Sequence, residues 1–420
     1  MSEKTPDSSR QTSKSEAFDI ASSALGSRQV AALTYQDPDT VELIRAAAVN
    51  PGPKNAALLE EQPDANFPPP TDRGLPQNFW QSYGISHRRI QPGGWTNQVN
   101  VTDFPISTDI AGVQMRLTPG GVRELHWHVQ NEWAIMLTGN ARITVLDADG
   151  HMFVDDLGRN GLWYFPAGFP HSIQGLNPDG CQFLLVFDDG VFSEEDTTLL
   201  SDWLKHVPRD VLAKNWGVPI EKILPAMASI PEGGKYIFQA PVPPSLEADR
   251  TAANRGRSPS STQFTYRFDD LKPTKENQGG VVRVVDSRTF KISKTIAMAH
   301  VTVHPGALRE LHWHPQANEW QYYIAGMSRM TVFFNHSQAR TANFRAGDVG
   351  FIPATFGHYI ENLGNDDLVF LELFKTDVYQ DISLNDWLTH LPPEFVKAHL
   401  NISQEVLDAI PPGNYAVLPR

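Results

Sequence analysis

One six-residue string, Arg-Glu-Leu-His-Trp-His, occurs twice in this chain, at 123–128 and again at 309–314. Each copy is soon followed by Asn-Glu-Trp, at 131–133 and 318–320. Further on, each leads through a proline-containing stretch to a histidine, His171 or His358. The same interval separates Glu132 from His171 and Glu319 from His358. Each half closes on a similar segment, Asp202-Trp-Leu-Lys-His-Val-Pro or Asp386-Trp-Leu-Thr-His-Leu-Pro. Apolar residues there fall at three- and four-residue spacing, which predicts a helix. A repeat on this scale means one supersecondary unit used twice. Between the motifs, runs such as Ala141-Arg-Ile-Thr-Val-Leu and Arg329-Met-Thr-Val-Phe-Phe alternate apolar and polar, and Gly and Asp-Gly turns interrupt them. That is antiparallel strand patterning. The expected fold is mostly β: two barrels or jelly rolls, with short helices closing each half.

Composition sets the boundaries. Residues 1–75 are rich in Ser, Pro, Asp and Ala and predict an extended, partly disordered arm with one short helix near Thr40–Val49. Residues 76–240 hold the first copy and 262–412 the second, with a Pro-, Ser-, Ala- and Arg-rich connector at 241–261 and a tail at 413–420. Acidic residues outnumber basic ones 48 to 35, for a net charge of −13, which argues against nucleic acid. A small anionic substrate must therefore be drawn in by local cations. No apolar run is long enough to cross a bilayer, so no membrane partner is expected. The first twenty residues lack the apolar core of a secretory signal. The expected compartment is the cytoplasm, with secretion the alternative if a leader has been removed. Cys181 is the one cysteine, which rules out an intrachain disulfide or a thiolate metal cluster.

His126 and His128 are two apart on a predicted strand, so both imidazoles point to one side. Glu132 follows past a turn, and His171 completes a set repeated by His312, His314, Glu319 and His358. A single His-x-His is weak evidence, since surface or core histidines pair this way too. Recurrence of all four ligand types at near-identical spacing is hard to explain by packing. Three imidazoles and a carboxylate leave two positions on an octahedral ion, which suits Mn(II) or Fe(II), whereas zinc would be saturated. Arg123 and Arg309 precede the first histidine of each set by three residues, and on a regular strand they would point away. The preceding Pro-Gly pairs (119–120 and 305–306) predict irregular backbone that turns them inward. There a guanidinium would hold a carboxylate; the competing assignment is a surface ion pair. Trp127 and Trp313 lie between ligands and should face outward, against a domain or subunit interface.

These residues fit the cupin motifs. Gly120, His126, His128, Glu132 and Gly139 match the first motif, as do Gly306, His312, His314, Glu319 and Gly326. The second motif is met by Gly347, Pro353, His358 and Asn362, with Thr355 where glycine is usual. In the first half it is met by Pro166, Gly168 and His171, with Asn160 in place of the leading glycine. From about Gly74 to Pro412 the chain resembles the bicupin oxalate decarboxylases, through RELHWH twice, WYFP…PHSIQ, FLLVFDDG, SKTIA, NEWQYYI, AGDVG and LVFLELF.

The resemblance implies a duplicated cupin (double-stranded β-helix) fold, two Mn(2+) per chain and dioxygen as catalytic co-substrate. It further implies cleavage of oxalate to formate and carbon dioxide in a homo-oligomer, a trimer or hexamer. Such proteins carry a catalytic glutamate on a Ser-Glu-Asn-Ser lid; here the aligned residues are Ser193-Glu194-Glu195-Asp196. Glu194 takes the catalytic position and Arg123 would polarise the substrate. Without the resemblance this segment reads as a solvated acidic turn before a helix at 199–206. The acidic side chains of Glu195 and Asp196 are expected either to slow access of a dianion or to raise the pKa of Glu194. In the second copy Glu372, with Arg309 nearby, is a catalytic candidate by analogy. Structural support is the favoured role, because no similar lid segment follows His358. An oxalate oxidase producing hydrogen peroxide and a non-enzymatic storage bicupin are the alternatives.

Overall fold

The computed structural model describes residues 55–419, so the helix expected near 40–49 lies outside it. The chain divides into two units, Met1–Arg73 and Gly74–Arg420. The described part of the first forms two short helices, Ala56–Glu61, capped by the Asn55 side chain, and Pro63–Asn66. All the strands described below belong to the second unit.

In the first half, one antiparallel sheet runs Thr198–Leu199, Gly121–Trp127, His171–Gly175, Ala141–Leu146, Met152–Leu157. The other runs Thr265–Arg267, Gly161–Phe165, Glu132–Gly139, Cys181–Phe187, Ala111–Leu117, Gly94–Val99, Arg88–Gln91. The second half repeats the plan, with His358–Asn362 beside Leu308–Trp313 in one sheet and Glu319–Ala325 beside Leu368–Phe374 in the other. The mostly-β, duplicated cupin architecture expected from the sequence is therefore present. Two strands are exchanged between halves. Thr265–Arg267 pairs with Gly161–Phe165, and Trp80–Ser82 pairs with Asp348–Ile352. Each covers a sheet edge that would otherwise expose unpaired backbone groups.

The exchange goes with close packing between the two large sheets. Along Glu132–Gly139, Trp133 and Ile135 enter a core shared with Trp320, Tyr322 and Val282, whereas Ala134 and Met136 fill the first barrel. A strand buried on both faces loses alternation, which is why Trp-Ala-Ile-Met-Leu at 133–137 reads as a continuous apolar run. Each large apolar side chain buried here is worth roughly 1.5–3 kcal/mol relative to exposure. Gly112 permits the approach, because a Cβ there would lie 2.7 Å from the Trp320 ring. The Gln114 amide donates to the Tyr322 hydroxyl at 2.7 Å, tying the halves with a satisfied buried polar pair.

The closing helices are Leu200–His206 and Leu384–His390, as the periodicity predicts. The connector is less featureless than its composition suggests. Ser245 caps a helix over Leu246–Asn254, and Asp249 of that helix pairs with the buried Arg142 at 2.5 Å. Among the described residues no helix is long and apolar enough to cross a membrane.

Candidate metal centres

In both halves the strand that carries His-x-His is bulged. Opposite His171–Gly175, His126 pairs with His171 and Arg123 with Ile173, so three steps on one strand match two on the other. The second half repeats this, with His312 opposite His358 and Arg309 opposite Ile360. An extra residue inverts side-chain parity. Arg123 and Arg309 thereby come to lie on the same side as the ligands, buried at 1% and 0% exposure. The inward placement expected from sequence is realised, but the irregularity sits between Arg and His rather than at the Pro-Gly pairs.

In each half two histidines stand on one sheet, the third (His128 or His314) directly follows its strand, and the glutamate stands on the other sheet, so each ligand set lies between the two sheets of its own half. His126, His128, Glu132 and His171 bring one ligand atom each to within 4.8 Å of the others, and so do His312, His314, Glu319 and His358. Glu132 Oε2 lies 3.2 Å from His128 Nε2 and 3.4 Å from His171 Nε2. In the second set Glu319 Oε2 lies 3.1 Å from His314 Nε2 and 2.8 Å from His358 Nε2. Every ligand Nδ1 faces a backbone carbonyl: Glu124, Gln130 and Phe169 in the first half, Glu310, Gln380 and Phe356 in the second. That contact fixes the Nδ1–H tautomer and leaves each Nε2 lone pair aimed inward.

Burial, reinforced by the Arg123 cation, holds His126 well below the ordinary histidine range, and burial with Arg309 does the same to His312. Burial alone would raise Glu132, but His171 and His128 outweigh it and hold the carboxyl low. The outer oxygens are fixed as well. Trp163 Nε1 donates to Glu132 Oε1 at 2.8 Å, and Gln321 Nε2 to Glu319 Oε1 at 2.6 Å.

The halves differ in what surrounds the arginine. In the first, Glu194 is buried and its Oε2 lies 3.0 Å from Arg123 Nη2. The Tyr236 hydroxyl donates to the same oxygen, and Arg123 lies over the Tyr236 ring at 4.3 Å. Arg123 Nε is buried without a hydrogen-bond partner, an unspent donor beside the ligand set. The segment that composition alone makes a solvated turn is thus a 3-10 turn, Glu194–Asp196, with its first carboxylate inside. Glu195 points out and pairs with Arg89 at 2.8 Å. In the second half, each nitrogen of Arg309 donates within the fold. It donates to Glu372 at 2.9 Å, Tyr379 at 2.9 Å, Asp381 at 3.1 Å and the Ala416 carbonyl at 3.2 Å.

Several residues of these sites carry no signal in the sequence. Tyr236 arrives from far along the chain on a residue with φ +59°, and Trp163 lies inside an apolar run. Glu124 and Glu310, the second residues of the repeated string, are structural. Glu124 accepts from the amides of Ser201, Lys235 and Tyr236, and Glu310 from Ala416 N and Ser383 Oγ. Trp127 and Trp313 do face outward, each edge-on to a tryptophan of its closing helix, Trp203 or Trp387, with ring centroids 5.7 Å apart.

Comparison with known proteins agrees with this geometry. The cupin family model matches residues 84–223 and 266–408. Oxalate decarboxylase of Bacillus subtilis is 49% identical over 368 residues, covering 88% of this chain and 94% of that protein. A probable oxalate decarboxylase of Arthroderma benhamiae is 38% identical, covering 87% and 89%. A solved structure concerned with the Mn(II) centres of the Bacillus subtilis enzyme superposes with a TM-score of 0.84 at 48% identity, covering 88% of this chain and 96% of that one.

The chain belongs to the oxalate decarboxylase family of cupins.

For a bicupin of this family, the departures from motif fall on turns. Asn160 takes a left-handed conformation at φ +62°, where Gly347 of the other half has φ +91°, and asparagine tolerates this well. Thr355 does the same at φ +72°, a strained choice for a β-branched residue. Its amide still donates to the His314 carbonyl at 2.9 Å, as Gly168 does to His128 at 2.8 Å, so the turn bracing the ligand survives. The bicupin's ligand sets also fit a cation. His171, His312, His314 and His358 Nε2 and Glu319 Oε2 are buried without hydrogen-bond partners, a cost that an ion relieves. Stripping metal with a chelator is therefore expected to lower the thermal midpoint. Reloading at a hundredfold excess over Kd should restore about 2.7 kcal/mol per site. Equal melting of stripped and reloaded protein would mean these clusters hold no ion.

Proposed function

We propose that this protein decarboxylates oxalate to formate and carbon dioxide at its first metal centre, in a manganese- and dioxygen-dependent reaction. The observation that carries this reading is the buried Glu194 carboxylate beside Arg123. It places a proton carrier next to a carboxylate-binding cation on the first centre. Its relatives named oxalate decarboxylases, and the Mn(II) centres of the Bacillus subtilis enzyme, support the substrate and the metal.

His126, His128, Glu132 and His171 would hold manganese in the first half, and His312, His314, Glu319 and His358 in the second. When bound at the first site, the ion together with dioxygen supplies a reversible one-electron sink and an anchor for one oxalate oxygen. The chain's own residues do the rest. Arg123, with its free Nε, holds and polarises one carboxylate of the substrate. Glu194 takes the proton of monoprotonated oxalate, the carbon–carbon bond breaks, and carbon dioxide leaves. Glu194 then returns the proton to carbon, giving formate with no net oxidation. Tyr236 holds the Glu194 carboxylate in place between these transfers, and the 193–196 segment shuts out water.

Glu372 and Arg309 take a structural role in this scheme, because every nitrogen of Arg309 already donates to a neighbour within the fold. The exposed Trp203 and Trp387, beside Trp127 and Trp313, support assembly as a homo-oligomer, a trimer or hexamer. The cytoplasm is the proposed compartment. Incubation with oxalate, with and without dioxygen, tests the activity, scoring formate, carbon dioxide and peroxide against the metal content of the same sample. Formate and carbon dioxide in equal amounts are expected. Peroxide as the main product would make the protein an oxidase instead.

A further inference from the structure

Glu194 is held from inside by Arg123 and Tyr236, and the segment carrying it has further anchors of its own. Gln98 accepts from the Glu194 amide at 3.0 Å and donates to Ser193 Oγ at 3.4 Å, while Asn100 donates to the Phe192 carbonyl at 3.0 Å. These bonds secure the backbone. A charged contact on the outer face joins Glu195 Oε1 to Arg89 Nη1 at 2.8 Å. Arg89 stands on the edge strand Arg88–Gln91, and its guanidinium lies 3.7 Å from the centre of the Tyr236 ring. The Tyr236 hydroxyl donates to Glu194. Arg89 thus touches both the outer carboxylate of the lid and the aromatic ring that holds the inner one.

We propose that Arg89 and Glu195 form an electrostatic latch that keeps the 193–196 lid closed over the first metal centre. The proposal builds on the functional reading above by naming positioning residues for its proton carrier. Two adjacent carboxylates of the lid have opposite tasks: Glu194 faces the reaction and Glu195 faces the latch. The pair is partly solvated, with side-chain exposures of 31% and 73%, so its strength is modest and sensitive to salt. A modest latch suits a lid that must open on every turnover. A closed lid on the empty protein excludes oxalate, so the apparent KM rises as the open fraction falls. Weakening the latch is therefore expected to lower KM.

Simple repulsion offers a rival account, in which Glu195 only repels an incoming dianion. Both accounts predict that Glu195→Gln lowers KM. They differ in sign for Arg89→Gln. Loss of an attractive cation would raise KM under repulsion, whereas loss of the latch lowers it.

The test uses the metal-loaded full chain with Glu195→Gln and Arg89→Gln, both at surface positions. Amide hydrogen exchange over 192–196 reads lid opening without reference to activity, and steady-state formate production reads KM and kcat. At low salt, both variants should exchange about two- to five-fold faster than wild type across the lid, with the rest of the barrel unchanged. KM for oxalate should fall by a similar factor in both. At about 0.5 M salt, wild type should converge on the variants. Unchanged lid exchange in both variants, or a raised KM in Arg89→Gln, would overturn the latch. A wild type that exchanges as expected yet makes no formate would defeat the functional reading and leave the latch standing.

Discussion

Replacing Glu194 with glutamine is expected to lower kcat for formate production by about 10²- to 10⁴-fold while both metal centres stay loaded. Glutamine keeps the size of the side chain and can still meet the Tyr236 hydroxyl, but it cannot carry a proton between oxygen and carbon. KM should fall or stay unchanged. In the closed wild type, Glu194 and an incoming oxalate carboxylate both seek Arg123, whose Nη2 lies 3.0 Å from Glu194. Removing the negative charge frees the guanidinium for the substrate, so binding holds or tightens as turnover collapses. Such a split marks a group acting in the transition state rather than in ground-state binding. Steady-state formate assays with metal analysis of the same preparations decide it. A variant retaining more than about a tenth of wild-type kcat would show that Glu194 is not the proton carrier, since general acid–base groups contribute at least tenfold more than that.

What the sequence reveals about this site follows from which features are local. His126 lies on a strand and His128 directly follows its end, and the period of two still gives them a common direction. Their partners Glu132 and His171 stand out because near-identical intervals recur in the second copy. Arg123 is different. Its direction depends on the bulge opposite His171–Gly175, a matter of pairing between distant strands. Tyr236 reaches Glu194 through the strand Ile237–Gln239 laid beside Gly121–Trp127, and nothing in its own neighbourhood marks it. The exchanged strands Trp80–Ser82 and Thr265–Arg267 are similarly silent, because a three-residue strand carries too little pattern to show its partner. Glu195 presents a further case. As a string, Glu-Glu-Asp is an acidic turn, and only the fold places Arg89 opposite its middle residue.

The second half yields the other large effect, on stability. Glu372→Leu is expected to destabilise the protein by about 3–5 kcal/mol. Arg309 and Glu372 are both fully buried and joined at 2.9 Å, so deletion of the carboxylate leaves a guanidinium in the barrel interior short of its main counter-charge. Burial opposes the Arg309 charge, and Glu372, Tyr379 and Asp381 together outweigh it, holding its pKa well above the usual range. Asp381, 3.1 Å away, retains part of that compensation, which places the expected loss toward the lower end. The double variant Arg309→Met/Glu372→Leu should recover most of the stability, because an apolar pair of similar volume pays no desolvation cost. The comparable pair in the first half behaves differently. The proposed opening of the 193–196 segment would let water reach Arg123 when its partner is lost. Denaturant unfolding of the metal-loaded variants measures the difference. If Glu372→Leu alone unfolds at the wild-type midpoint, the cluster around Arg309 is not a structural one.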